Sequence, residues 1–395
     1  MLYRSTRGKA DPVDFTGAML NGLAPDGGLY VPDRTPSLPA GWETWSYQEA
    51  IASTLLLYGA DDTDELVMEA ASRFHHPEVA PVVEVGDRLV LELFHGPTLS
   101  FKDHPLQVVA RLLSREVDRG VVLGATSGDT GSAAIEACRG SENLEIVMLF
   151  PEGRISEFQR RQMTGVTDRN VHAVAVRGTF DDCQRMVKEA LAVHPQVLAI
   201  NSINWARIAA QTGYHIYAAA RIGGPFDVVV PTGNFGNVYS CWLAKQMGAP
   251  IETITIANNA NHGLSDLVNT GSRAETRVVP TLAPAMDIQV PSNLERFPGD
   301  LTEEFSASWC DDDQIRSTIE VVQESYGYRL DPHTATAWHA GDETRSDRPQ
   351  LVVATAHPAK FDDLLAPPIW FPKLSDRERV VTIDANTSEL TYLIR

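Results

Sequence analysis

Between residues 103 and 260 the sequence alternates between helix-like and strand-like segments, and this alternation restricts the possible folds more than any other feature. Apolar runs of five or six residues are separated by amphipathic stretches with short connections. Such alternation predicts a mostly parallel β-sheet covered by helices on both faces. We predict helices at 105–117, 131–139, 156–164, 180–193, 205–221 and 236–247, and strands at 121–125, 145–150, 171–176, 227–231 and 253–257.

The length of the chain predicts more than one lobe. Its 395 residues exceed the roughly 100–200 residues of one typical domain. We therefore predict an α/β protein of two lobes, with a cleft between them where ligands commonly bind. The predicted division is an N-terminal cap region at 1–80, a segment at 81–175 shared between a large lobe and a small substrate lobe, the rest of the large lobe at 176–361, and a C-terminal tail at 362–395.

Strand patterns also occur outside the alternating stretch. Two β-rich runs, 82–85 and 88–94, flank Gly86 and Asp87 and predict a short hairpin. In the tail, residues 379–384 and 389–394 are strand-like, and we assign the tail no role.

Composition excludes several classes of function. With 33 Lys and Arg against 52 Asp and Glu, the net charge of −19 disfavours binding to nucleic acid or to anionic membranes. No run approaches the roughly 18 apolar residues of a membrane span, and the first residues lack the apolar core of a signal peptide. We expect a cytoplasmic protein of undetermined oligomeric state. An anionic ligand must then bind in a locally basic pocket.

The clearest ligand motif is PTGNFGN at residues 231–237, which follows a predicted strand and opens a predicted helix. Its glycines permit positive φ, so successive backbone N–H groups can converge on an anion at the helix N-terminus. The alternative is a tight βα turn without a ligand. The motif lacks the Gly-Lys-Ser/Thr of a P-loop, which disfavours hydrolysis of nucleoside triphosphates. We predict a phosphate-binding loop.

A second loop, ATSGDTG at residues 125–131, also leads from a strand into a helix. Its hydroxyl and N–H groups suit a carboxylate or a second phosphate. A dinucleotide fingerprint is the alternative, since three glycines are loosely spaced and Glu152 follows about 20 residues later. The spacing differs from G-x-G-x-x-G, so nicotinamide binding is disfavoured.

A third loop presents Lys102 immediately before a predicted helix. A lysine among apolar residues can have a lowered pKa and act as a nucleophile toward an aldehyde, whereas the alternative is a surface lysine paired with Asp103. Together, the three loops provide a lysine, a phosphate-binding loop and a carboxylate-binding loop. A pyridoxal-phosphate enzyme that acts on an amino acid requires this combination.

Five dispersed motifs in this order resemble threonine synthase, a fold-type II pyridoxal-phosphate enzyme, in its longer bacterial and fungal class. The resemblance covers nearly the whole chain, although the C-terminus is shorter. The motifs are ELFHGPTLSFKD at 92–103, ATSGDTG at 125–131, NSINWARIAAQ at 201–211, PTGNFGN at 231–237 and TAHPAKF at 355–361.

The resemblance implies pyridoxal 5'-phosphate as the cofactor, held as a Schiff base by Lys102. Thr355 matches the hydroxyl near the pyridine nitrogen, and Asp129 would lie close to the cofactor. The cofactor's phosphate would be held by Gly233, Asn234, Phe235, Gly236 and Asn237.

The resemblance also implies an amino-acid substrate, O-phosphohomoserine, which a lyase of amino-acid biosynthesis would convert with water to threonine and phosphate. The route would be γ-elimination followed by addition of water at Cβ. Ser127, Gly128, Asp129 and Thr130 would bind the α-carboxylate. The residues expected around the substrate's phosphate are Arg154, Ser156, Asn204, Arg207 and Lys360.

Several alternatives stay open at this level. The basic residues could instead form solvated surface ion pairs. The chain could be a related enzyme that acts on another β- or γ-substituted amino acid, or a non-catalytic metabolite-binding protein that retains the fold. No sequence feature requires a metal.

Some positions near the expected pocket depart from the family pattern. The unusual residues are His104 and Pro105, Thr212, Gly213 and His215, and His262 and Gly263. A glycine inside a helix leaves space, so we expect Gly213 to enlarge a pocket. The histidines could titrate near neutral pH and alter substrate choice. A zinc site from His104, His215 and His262 is a further alternative, although no i, i+4 pair supports it.

Overall fold

The structure, a computed structural model, describes residues 1–194, 197–272, 277–362, 364–391 and 393–394. The strands are β1 Tyr3–Ser5, β2 Tyr30–Pro32, β3 Val82–Val85, β4 Arg88–Glu92, β5 Gly120–Ala125, β6 Leu144–Pro151, β7 Val171–Arg177, β8 Val197–Ala199, β9 Phe226–Pro231, β10 Ile251–Asn258, β11 Phe305–Trp309, β12 Gln350–Ala354 and β13 Val381–Asp384. The helices are α1 Phe15–Asn21, α2 Tyr47–Leu57, α3 Asp64–Ala71, α4 Asp103–Glu116, α5 Asp129–Cys138, α6 Glu157–Thr164, α7 Phe180–Val193, α8 Trp205–Ile222, α9 Gly236–Met247, α10 Gly263–Thr270, α11 Leu301–Glu304, α12 Asp312–Tyr326, α13 Pro332–Glu343 and α14 Thr387–Thr391.

A six-stranded sheet forms the large lobe, with strand order β11-β10-β9-β12-β4-β3. All neighbours are parallel except β3 and β4, which form the predicted antiparallel hairpin. β12 is the last of these strands along the chain, yet it lies between β9 and β4. The carboxyl ends of β9, β12 and β4 therefore meet at one edge, where ligands bind in parallel sheets.

A second sheet forms the small lobe, with strand order β13-β7-β6-β5-β8 and parallel pairing throughout. The two parallel sheets confirm the predicted α/β architecture. The predicted lobe boundary at residue 175 lies inside β7, however, and the small sheet continues to β8 and recruits β13 from the tail. The boundaries of the lobes depend on which distant strands pair with one another, and the local sequence pattern does not reveal that pairing.

The end of the tail departs from the predicted strand at 389–394. Residues 387–391 instead form α14, and residue 392 lies outside the described residues. Leu390 and Ile394 are both buried against the small lobe, and their spacing of four matches one face of a helical turn. Strands β8 and β11 and helices α12 and α13 are observed in addition to the predicted elements.

Close packing of α2 on α8 accounts for Gly213, and the expected enlarged pocket is wrong. A Cβ atom on Gly213 would lie 2.9 Å from the Cα of Ile51 and 3.2 Å from the carbonyl oxygen of Ala50. The missing side chain therefore allows the two helices to approach each other and leaves no cavity.

Within the described ranges, every helix is too short or too polar to cross a lipid bilayer.

Replacing Gly213 with alanine should destabilise the protein. Alanine favours a helix by about 1 kcal/mol over glycine, but overpacking a well-filled site costs about 1–3 kcal/mol. We therefore expect Gly213→Ala to lower the free energy of unfolding, measured by urea denaturation. Gly224→Ala is the matched control, because a Cβ there meets no atom within 4 Å. If Gly213→Ala left the free energy of unfolding unchanged, close packing of α2 on α8 at this position would be contradicted.

Candidate active site

Three loops meet at the carboxyl edge of the large sheet, after β4, β9 and β12. The loop that carries Lys102 is bonded to the loop after β12: Phe101 N donates to the carbonyl oxygen of Thr355 at 2.8 Å, and His357 N donates to that of Leu99 at 3.0 Å. Leu99 has a φ of 62°, a left-handed conformation that a non-glycine residue rarely adopts. Such backbone strain is concentrated at functional sites.

The carboxylate of Asp129, the first residue of α5, is shared by two lysines. Lys102 Nζ lies 3.5 Å from Asp129 Oδ2, and Lys360 Nζ lies 2.7 Å from Asp129 Oδ1. Lys360 Nζ also donates to the carbonyl oxygen of Thr98 at 2.8 Å. The predicted loops of the two lobes are therefore joined by one buried ion cluster.

Two further groups complete this cluster, and the sequence analysis does not identify them. Gln159 Nε2 donates to Asp129 Oδ1 at 2.9 Å, and Gln162 Nε2 donates to the carbonyl oxygen of Thr98 at 3.1 Å. Ser156 precedes Gln159 by three residues, the spacing of a capping box. That signal predicts the start of α6, where Ser156 Oγ does accept from Gln159 N, but it does not predict the contact with Asp129.

Burial and charge act together on the ionisation of the cluster. Burial lowers the pKa of Lys102, and the nearby cations Lys360 and Arg207 lower it further, against the opposing effect of Asp129. Burial alone would raise the pKa of Asp129, but the ammonium groups of Lys360 and Lys102 hold it below its ordinary value. Asp129 is therefore ionised, while Lys102 releases its proton more readily than an exposed lysine does.

The segment 233–237 after β9 is the loop predicted to bind a phosphate, called the anion loop below. In the described part of the chain, none of its five backbone N–H groups reaches a protein acceptor. Phe235 has a φ of 63°, and a Cβ on Gly233 would lie 2.5 Å from the carbonyl oxygen of Ala285. The Nδ2 atom of Asn237 is also buried without an acceptor among the described residues. These unpaired donors at a helix N-terminus suit a phosphate.

The loop after β5 also carries backbone N–H groups that have no acceptor among the described residues. Thr126 Oγ1 accepts from the N–H groups of Gly128 and Gly131, each at 2.9 Å, and so fixes the turn. Among the described residues, the N–H groups of Ser127, Asp129 and Thr130 have no acceptor. Ser127 is exposed and Thr130 is half-buried. The loop can therefore bind a carboxylate that approaches from the cleft.

Arg207 and Thr355 lie beside the cluster. Arg207 Nη1 donates to the carbonyl oxygen of Ile200 at 3.0 Å, whereas its Nε is buried without an acceptor among the described residues. Burial lowers the pKa of Arg207 to about 10. Thr355 is buried, and its N–H donates to Thr334 Oγ1 at 3.3 Å.

The other three residues expected around the substrate's phosphate have contacts of their own. Asn204 caps α8: its Oδ1 accepts from Ala206 N, and its Nδ2 donates to the carbonyl oxygens of Met19 and Ala199. All of its hydrogen-bonding groups are engaged, so Asn204 is a structural cap and is not available as a ligand. Arg154 and Ser156 are exposed on the small lobe. Ser156 caps α6, and its Oγ also donates to Oε1 of Gln159 at 3.1 Å, so it lies one residue away from the Asp129 carboxylate.

The unusual histidines make structural contacts, and the expected titration near neutral pH is wrong for His104 and His215. His104 is buried between Tyr47 Oη and the carbonyl oxygen of Leu93, and burial lowers its pKa to about 3. Burial also lowers the pKa of His215 to about 4. His262 pairs with Asp266 at 2.9 Å. The three make separate contacts, and no group of His, Cys, Asp or Glu among the described residues has the geometry of a metal site.

Known proteins resemble this chain in sequence and in fold. Residues 83–356 match the pyridoxal-phosphate dependent enzyme family, and residues 2–71 match the threonine synthase N terminus. Threonine synthase of Pseudomonas aeruginosa is 38% identical over 98% of this chain and 96% of its own. Human threonine synthase-like 2 is 33% identical over 92% of this chain and 88% of its own. The crystal structure of PLP-bound threonine synthase from Brucella melitensis is 37% identical, with a TM-score of 0.93 over 100% of this chain and 98% of that one.

Removing the ammonium group of Lys360 should destabilise the protein strongly. Breaking a buried ion pair from one side costs about 3–5 kcal/mol, because the remaining charge stays buried. We expect a loss of this size for Lys360→Met in urea denaturation of the apoprotein. Lys373→Met is the control, because Lys373 forms an exposed pair with Asp376, and it should leave stability unchanged. If the two substitutions lowered the free energy of unfolding equally, the proposed contribution of the buried Lys360–Asp129 pair to stability would be contradicted.

Proposed function

The chain belongs to the threonine synthase family of pyridoxal-phosphate-dependent enzymes, and we propose that it converts O-phosphohomoserine and water to threonine and phosphate. The observation that carries the proposal is the buried cluster of Lys102, Asp129 and Lys360 at the sheet edge that also carries the anion loop. The cluster supplies an amine of lowered pKa beside loops that suit two different anions.

The unpaired donors of the site fit the cofactor. Pyridoxal phosphate, when bound, supplies an electron sink for negative charge that develops on the substrate. Lys102 would hold its aldehyde carbon, and the N–H groups of 233–237 would hold its phosphate. Thr355 would contribute a neutral hydroxyl near the ring nitrogen, and Asp129 would lie beside the ring. These assignments are supported by the contacts among Lys102, Asp129 and the 355–360 loop.

Proton transfer is the chemical task of Lys102. With the substrate's amino group bound in place of Nζ, the free amine of Lys102 would take the Cα proton, pass it on to the bound cofactor, and then take a Cβ proton. Its lowered pKa keeps a larger fraction of the amine unprotonated at neutral pH. Asp129 stays ionised and accepts hydrogen bonds throughout, because Lys360 remains beside it. Phosphate would leave from Cγ, one proton would return to Cγ, the hydroxyl of water would add at Cβ with the water's proton leaving on the released phosphate, and the second proton would return to Cα.

The remaining donors are suited to the two anionic groups of the substrate. The N–H groups of Ser127, Asp129 and Thr130 would bind the α-carboxylate. For the leaving phosphate, Arg207 has an unused Nε and Lys360 has one N–H beyond its two bonds. Charge-assisted hydrogen bonds of this kind stabilise a leaving dianion more than neutral ones do.

A second candidate is a related reaction on another β- or γ-substituted amino acid. It is favoured by the human relative called threonine synthase-like 2, whose identity of 33% is close to that of the threonine synthases. The product distinguishes the candidates: threonine supports the first, and 2-oxobutyrate from O-phosphohomoserine supports the second.

Substitution of Lys102 tests both the cofactor and the reaction. The purified protein should be yellow, lose its colour with borohydride, and release threonine and phosphate in equal amounts from O-phosphohomoserine. Lys102→Ala should lose the covalent attachment and reduce kcat by at least about 10³-fold, as expected when a general base is removed. Lys373→Ala, which changes an exposed lysine, should match the wild type. Threonine formation by Lys102→Ala at the wild-type rate would refute the assignment.

A further inference from the structure

One polar side chain at the N-terminus of α9 has unused hydrogen-bonding capacity. Asn237 is the second residue of this helix and is 7% exposed. Its Oδ1 accepts from Tyr214 Oη at 2.8 Å and lies 2.8 Å from His215 Nε2, which donates to it when the ring carries its proton on that nitrogen. Its Nδ2 is buried and has no acceptor among the described residues. Because buried polar groups are nearly always paired, this amide nitrogen indicates a ligand.

The two donors on α8 determine which way the Asn237 amide faces. With Oδ1 held by Tyr214 and His215, Nδ2 is left without a described acceptor on the last residue of the 233–237 segment, whose backbone N–H groups are also unpaired. The reversed amide would place an oxygen among those donors, where it would repel a bound anion. The observed contacts therefore favour the orientation that adds one more N–H donor to the loop.

His215 can serve this purpose only as a neutral ring that carries its proton on Nε2. The ring is 1% exposed, and its Nδ1 is buried without a partner among the described residues. A protonated ring would leave an unsatisfied N–H at Nδ1. Burial lowers the pKa of His215 to about 4, and its bond to Asn237 opposes only part of this effect. The donor therefore persists through neutral pH.

We propose that His215 is a positioning residue for the phosphate of the cofactor. Its Nε2–H holds Asn237 Oδ1, so that Asn237 Nδ2 donates to the phosphate together with the backbone N–H groups of 233–237. His215 itself contacts Asn237 and not the cofactor. The inference rests on the proposed function for the identity of the cofactor, and it adds a role for a residue that departs from the family pattern.

The test compares two ligands of the apoenzyme, pyridoxal 5'-phosphate and pyridoxal, which differ only in the phosphate. We expect His215→Phe to weaken binding of pyridoxal phosphate about tenfold, the effect of one charge-assisted hydrogen bond, and to change pyridoxal affinity less than about twofold. His215→Gln, which restores a donor, should recover the preference for the phosphate. His104→Phe is the matched control, because His104 is equally buried but bonds Tyr47 and Leu93.

The proposal would be overturned if His215→Phe weakened the binding of pyridoxal phosphate and of pyridoxal by the same factor, or changed neither affinity. Asn237→Ala provides a second route should His215→Phe not fold: it should reduce the preference for pyridoxal phosphate over pyridoxal by a similar factor, and adding His215→Ala, which removes the donor, should reduce that preference no further. Additive effects would show independent roles and overturn the proposal. The ³¹P resonance of the bound cofactor should shift in His215→Phe and not in His104→Phe. Failure of the wild type to bind pyridoxal phosphate at Lys102 would instead refute the proposed function.

Discussion

The carboxylate of Asp129 is the interaction on which the rest of the site depends. Asp129 begins α5 on the small lobe, whereas Lys102 and Lys360 belong to loops of the large sheet. An isolated buried charge costs several kcal/mol, so each of these groups depends on the others for its burial. The same contact therefore joins the lobes and sets the ionisation of Lys102. Two lysines and one carboxylate also leave an excess positive charge, which suits anionic ligands.

The order of strands in the large sheet makes this cluster possible. Because β12 lies between β9 and β4, the loop at 355–360 is adjacent to both the lysine loop and the anion loop. Lys360 and Thr98, which are hydrogen-bonded, are 262 residues apart along the chain. The conformation of the lysine loop, including the left-handed Leu99, is held by backbone bonds to 355–357. The geometry around Lys102 is thus a product of the assembled sheet and not of its local sequence.

Local signals predict part of this architecture, and the errors have common physical causes. The helix and strand periods and the glycine-rich loops identify the strand ends and the three loops that follow them, and the resemblance to threonine synthase alone implies that Lys102 and Asp129 both lie near the cofactor. They do not reveal the position of β12 or the contact of Gln159, since both depend on pairing between distant segments. Asn204 lies in a recognisable motif, but its neighbours use its amide as a helix cap. The missing side chain of Gly213 suggests a cavity in the sequence, but in the structure α2 packs against this position and fills the space.

Burial also explains how an acidic protein can bind anions. The net charge is −19, yet the cations nearest the site, Lys102, Lys360 and Arg207, are all largely buried. Salt screens buried charges much less than exposed ones, so these three act on a bound anion more strongly than the many surface carboxylates do. His104 and His215 contribute no charge near neutral pH, because burial lowers the pKa of each. Each of the two histidines instead orients a neighbouring group through a hydrogen bond. Because the rings stay neutral, these hydrogen bonds do not change over the physiological pH range.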